Sequence, residues 1–116
     1  MISITNEPVD IKNAGGEWMR VVGKVLVDTG NRAPTGISGK LVYELGLKPD
    51  TSKEVNVSGA GGTKVQRGGT VKIEVKVRNH VFPIEALVDL PTDKVDLLIG
   101  EDIIDALFHL NYTFGE

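Results

Sequence analysis

The sequence contains no cysteine, which excludes disulfides, thiolate nucleophiles and cysteine-bound zinc and leaves the redox compartment unread. Two histidines are present, His80 and His109, too far apart for a paired-imidazole metal motif, so no metal site is expected. There is no excess of positive charge: a formal net charge of -3 and a pI near 5.4 provide no basic stripe to displace counterions from phosphates, and nucleic acid is not an expected partner. No long apolar run occurs, and Asn6, Glu7, Pro8 and Asp10 stand where a signal peptide would need hydrophobic residues. The expectation is a protein with no membrane partner, cytoplasmic or cut from a larger polyprotein. Aromatics are few, with one Trp, two Tyr and three Phe, against 14 Gly and abundant Val, Ile and Leu. That balance favours strands and tight turns.

A length of 116 residues suits one domain spanning 1–116, with enough chain for a modest core. From Arg20 to Val27 the residues are almost all apolar and rich in β-branched side chains, which predicts a buried strand. Asp28, Thr29, Gly30, Asn31, Pro34 and Gly36 then form a cluster of turn formers. Ser38 is placed to cap a short helix carrying Leu41, Val42 and Leu45, with Gly46 as its stop. Ser58 to Thr63 is glycine-rich and reads as a hairpin tip. Val71, Ile73, Val75 and Val77 alternate with Lys72, Glu74, Lys76 and Arg78, the period of a strand with one buried face. Asn79 and His80 read as a turn, and Val81 to Leu90 as the returning strand, where Pro83 requires an edge or a bulge. Val95 to Gly100 predicts a strand. Glu101 and Asp102 then open a helix whose apolar face is Ile103, Ile104, Leu107 and Phe108. His109 to Phe114 is expected to close the chain as a strand.

The chemistry-bearing candidate is Asp28-Thr29-Gly30 at the end of a buried strand, since a carboxylate held in a turn among apolar neighbours has an ionisation set by its surroundings. As a bare tripeptide it is an ordinary turn. The Ser58 to Lys64 stretch lacks phosphate-loop spacing and leads into a strand pattern where a phosphate loop needs a helix. Asp96 fits the start of a strand, Asp102 fits a helix N-terminus, and Trp18 fits a core or edge anchor.

Taken in order, these segments resemble the retropepsins, the retroviral and retrotransposon branch of the aspartic peptidases. Asp28-Thr29-Gly30 follows its apolar strand as the family signature does. Thr35-Gly36-Ile37-Ser38 and the helix ending at Glu44-Leu45-Gly46-Leu47 are similar to the segment after it. Gly59-Ala60-Gly61-Gly62 resembles the flap tip, and Leu97-Leu98-Ile99-Gly100 resembles the hydrophobic-hydrophobic-Gly motif that precedes the family's last helix. The sequence departs from the family after the tripeptide, where Asn31, Arg32 and Ala33 replace the usual Ala or Ser and lengthen the loop. Arg32 puts a cation where retroviral enzymes often hold a carboxylate.

The resemblance implies an all-β acid-protease fold, a closed β-barrel-like subunit with two short helices, assembled as a homodimer. It implies an aspartic endopeptidase without cofactor that takes an extended peptide or polyprotein substrate. Asp28, Thr29 and Gly30 would be catalytic, with Thr29 bracing the paired loops and Gly30 giving room near the attacking water. Gly59, Ala60, Gly61, Gly62, Asn31 and Arg32 would contact substrate, and Gly100 would pack beside the active loop. Hydrolysis by this route needs one ionised and one protonated carboxyl. The chain offers a single Asp-Thr-Gly, so the second carboxyl is expected from a twofold-related copy. The alternative is a module of the same fold that dimerises or binds peptides without cutting them.

Overall fold

The computed structural model describes residues 2–28, 34–52, 55–59, 62–66, 69–88 and 95–111, with side chains described for all of these except 2, 3, 55–59 and 62–66. Thr29, Gly30, Asn31, Arg32, Ala60 and Gly61, and the segment 112–116 that ends the expected closing strand, lie outside the described residues.

The chain begins with three short strands, β1 (Ile2–Ile4), β2 (Val9–Lys12) and β3 (Trp18–Arg20). β4 (Val25–Asp28) and β5 (Gly36–Ile37) then flank the Asp28 loop, and helix α1 (Gly39–Glu44) follows. β6 (Val55–Gly59) pairs with β7 (Gly62–Gln66) as an antiparallel hairpin that forms a two-stranded sheet of its own. The long strands β8 (Thr70–Val77) and β9 (His80–Val88) form a second hairpin. β10 (Leu97–Ile99) and α2 (Glu101–His109) complete the order.

The eight remaining strands make one curled sheet in the order β1-β4-β10-β5-β9-β8-β2-β3. β10, late in the chain, is inserted between β4 and β5, parallel to the first and antiparallel to the second. Leu26, Leu98, Gly36, Leu87 and Thr70 are paired in succession and so form one rung across five strands. That rung fixes Asp28, two residues further along β4, relative to Thr70, where β8 leaves the β6–β7 hairpin. The alternating residues of β8 do what their period requires: Val71, Ile73, Val75 and Val77 enter the core, while Lys72 is exposed. They meet Val9 and Ile11 of β2, Val25 and Val27 of β4, Leu97 and Ile99 of β10, and the apolar faces of α1 and α2. Burying each such side chain contributes about 1.5–3 kcal/mol.

Several expectations are corrected by this arrangement. The chain does not form a closed barrel: among the described residues the sheet ends at β1 and β3, three-residue strands that pair on one side only. The apolar run from Arg20 to Val27 is not one strand but is broken between Arg20 and Val25. In that break Asp96 lies against Gly23 so closely that a Cβ there would sit 1.3 Å from Asp96 Oδ2. The β8–β9 turn is Arg78-Asn79, one residue earlier than expected, with both residues at positive φ of 49° and 65°. Such a pair matches the twist of the strands it joins. Arg78 also grips the Glu7 carboxylate through its Nε and Nη2. Pro83, by contrast, takes the edge position expected of it, because β9 pairs on its second side only at Leu87 and Val88. Helix α2 continues through His109, where a strand was expected. Phe108, assigned to the apolar face, is 67% exposed, whereas Ile103 and Leu107 are buried.

Candidate active site

Asp28 is the last residue of β4 and is 4% exposed. Its burial follows from its place in the sheet. Ile2 of β1 is its backbone partner on one side, and the preceding Val27 pairs with Ile99 of β10 on the other. Both Val27 and Ile99 are fully buried, so Asp28 ends its strand directly above a dry base. The chain leaves Asp28 and returns to the described structure at Pro34 and Thr35.

Thr35 is 0% exposed, and each of its polar atoms is engaged. Its N–H donates to both carboxylate oxygens of Asp102, at 3.2 Å each. Its Oγ1 donates to Asp102 Oδ1 at 2.6 Å and accepts from the Gly100 N–H at 3.1 Å. Its carbonyl accepts from the Leu87 N–H at 2.9 Å. The return end of the Asp28 loop is thereby tied to β9, to the end of β10 and to the first turn of α2. Asp102 also accepts from the Ile103 N–H at 2.9 Å, where negative charge meets the unsatisfied donors of a helix start. Gly100 is the residue before α2 and offers no side-chain cap; its N–H instead donates to Thr35 Oγ1.

The start of α1 is held in a similar way. Ser38 Oγ accepts from the Leu41 N–H at 3.1 Å and donates to Asp96 Oδ1 at 3.2 Å, and the Ser38 N–H donates to the Asp96 carbonyl at 2.9 Å. Gly46, at a φ of 70°, stops the helix as expected. Thr35 and Asp96 escaped sequence reasoning as structural anchors, and Asp102 was read only as a helix-start charge. Trp18 is an edge anchor: it stands on β3 with Lys76 Nζ 4.3 Å and Lys12 Nζ 5.4 Å from its ring centroid. Lys12 reaches on to Glu74 at 3.3 Å, so this face is laced with charge pairs and cation–π contacts.

Of the residues expected to contact substrate, Gly59 and Gly62 face each other as the last pair of the β6–β7 ladder. The strands therefore run up to the glycines that had been assigned to the tip. Among the described residues no group of three His, Asp or Glu side chains is arranged to hold a metal ion. No helix among them is long and apolar enough to cross a membrane.

A solved structure covers this architecture almost end to end. The retroviral protease-like domain of Ddi1 from Leishmania major superposes with a TM-score of 0.58 over 90% of this chain and 77% of its own, at 19% sequence identity. The fold is retropepsin-like. At that identity the likeness concerns the fold alone. No protein-family model matches the chain, and no curated protein matches it in sequence. Within the retropepsin-like frame the sheet is a curled half-barrel with two helices, and Asp28 and the β10–α2 junction stand at neighbouring strand ends.

Proposed function

We propose that this chain is an aspartic endopeptidase that works as a homodimer, with Asp28 of each copy forming the catalytic pair. The observation that carries this reading is a buried carboxylate at the end of an interior strand of a retropepsin-like fold, followed in sequence by Thr29 and Gly30. A lone carboxylate can accept a proton from water but cannot at the same moment donate one to the scissile carbonyl. Two carboxyls held together share a proton, since both cannot ionise at close range, and divide the roles. One Asp28 takes a proton from the attacking water while the protonated partner donates to the carbonyl oxygen. The resulting gem-diol collapses as the peptide C–N bond breaks and the nitrogen is protonated. An extended peptide would lie under the two β6–β7 hairpins and bind by strand-like hydrogen bonds. Gly59 to Gly62, with Asn31 and Arg32, would make the contacts, and no cofactor takes part.

The test is digestion of a peptide library at mildly acidic pH, read by mass spectrometry and compared with Asp28→Asn. The amide keeps the volume of the carboxyl but cannot share a proton, so cleavage is expected to fall by at least about 1,000-fold while the protein stays folded. Rate against pH should be bell-shaped, because only the singly protonated pair is competent. Specific activity should also fall on dilution, since each copy brings one carboxyl. Cleavage by pure Asp28→Asn, or activity that stays flat in a demonstrated monomer, would overturn the reading. Saturable peptide capture without cleavage at any pH would assign a binding module.

A further inference from the structure

We propose that Asp102 and Thr35 are positioning residues that hold the return end of the Asp28 loop through the acceptor oxygen Asp102 Oδ1, and that carboxylate charge is not what the site needs. The inference rests on the peptidase reading for its catalytic consequence and on geometry for its structural part. Oδ1 receives the Thr35 hydroxyl at 2.6 Å, the Ile103 N–H at 2.9 Å and one branch of the Thr35 N–H at 3.2 Å. Oδ2 receives the Thr35 N–H at 3.2 Å as the second branch of a shared bond. The Thr35 hydroxyl in turn is the acceptor for the Gly100 N–H, so one side-chain oxygen organises the meeting point of the loop, β10 and α2.

The consequence is specific about which atoms matter. Asparagine keeps a carbonyl oxygen in the place of Oδ1, which can accept from the Thr35 hydroxyl and the Ile103 N–H, and gives up only the Oδ2 branch of the shared Thr35 N–H bond, whereas alanine keeps none. Serine at position 35 keeps a hydroxyl that donates to Asp102 and accepts from Gly100. Valine has the shape of threonine and neither capacity, which leaves the Gly100 N–H buried without its acceptor and takes from Asp102 Oδ1 the shortest of its bonds, while the backbone N–H of residue 35 and the Ile103 N–H remain. A loop that carries a reacting group loses rate steeply when it is misplaced by an ångström. A residue whose only task is to fill space would instead tolerate the isosteric valine.

The experiment compares Asp102→Asn, Asp102→Ala, Thr35→Ser and Thr35→Val in the full chain by two readouts. The first is amide hydrogen exchange. Protection at the Thr35, Leu87 and Gly100 amides should drop at least 10-fold in Asp102→Ala and Thr35→Val and stay within about 3-fold of wild type in Asp102→Asn and Thr35→Ser, while the Val75 amide is unchanged in all four. The second is peptide hydrolysis, in which kcat should fall about 100-fold in the first two variants with KM within about 3-fold, and remain within about 5-fold in the second two. Exchange that is the same in Asp102→Asn and Asp102→Ala would overturn the positioning role, and so would full activity in Thr35→Val. If the wild type never cleaves, the peptidase reading fails by itself and the exchange pattern alone decides whether Oδ1 holds the loop.

Discussion

At the scale of single residues, the structure distinguishes glycines that are required by their backbone from glycines that are required by their neighbours. Gly16 and Gly69 share a φ of 85°, yet a Cβ on Gly16 would meet nothing within 4 Å, whereas one on Gly69 would stand 2.4 Å from the Asp50 carbonyl oxygen. Alanine at position 16 therefore bears only the left-handed backbone penalty, about 1–2 kcal/mol, reduced by the lower entropy of its unfolded chain. Alanine at position 69 adds a collision with main chain that cannot rotate away, typically another 1–3 kcal/mol. Urea denaturation should place Gly16→Ala about 1 kcal/mol below wild type and Gly69→Ala at least about 2 kcal/mol below it. Equal losses would mean that the approach of Asp50 to Gly69 relaxes at little cost. Because the Gly69 carbonyl also accepts from the Val88 N–H at 3.0 Å, the same substitution should disturb the place where the start of β8 meets the end of β9.

At the scale of elements, α1 is short, with six residues and no acidic side chain in its first turn; a helix of that length depends on its cap and its packing rather than on propensity. Ser38→Ala should cost about 1–2 kcal/mol, the upper part of the usual range for a lost cap, because the hydroxyl also serves Asp96. Gly23→Ala drives into the Asp96 carboxylate and should break the bond to Ser38 from its other end. Chemical denaturation of the two single variants and the double should show a double loss smaller than the sum, since both remove one shared contact. Strict additivity would show that Asp96 does not link them.

Strand β8, the capped helix α1 and the start of α2 were legible from sequence because the signals that make them are local: a period of two, a serine with glycine after the last turn, acidic residues before an apolar face. The tight approach at Gly23 was not legible, since the side chain that makes it, Asp96, is remote in the chain. The same holds for Thr35 and Asp102, whose hydrogen bonds span 67 positions and leave no periodicity in either segment. Phe108 was misassigned because helical spacing identifies a stripe but not how far a neighbouring element extends to cover it. The candidate carboxylate itself was legible, as a polar residue that ends a run of buried β-branched ones.

At the scale of the whole molecule, the strand order has a consequence for how the chain acquires its structure. β4 and β5 flank β10 and do not pair with each other, and among the described residues β10 is the last strand of the sheet. A chain emerging from the ribosome therefore makes both neighbours of the gap long before it makes the strand that fills it. Until residues 97–99 are available, the β4 and β5 edges stand open, and a parallel pairing such as β10 with β4 must close a long loop before any contact offsets the lost entropy. A fragment ending at residue 94 should lack cooperative unfolding by circular dichroism and should aggregate through those edges. Adding a peptide of residues 95–116 in trans should restore a single transition with a midpoint that rises with peptide concentration. Cooperative folding of the fragment alone would mean that β4 and β5 find another partner. Synthesis of this protein is thus a race between completion of the last strand and capture of an unfilled slot in its sheet, and the slot lies one residue from Asp28.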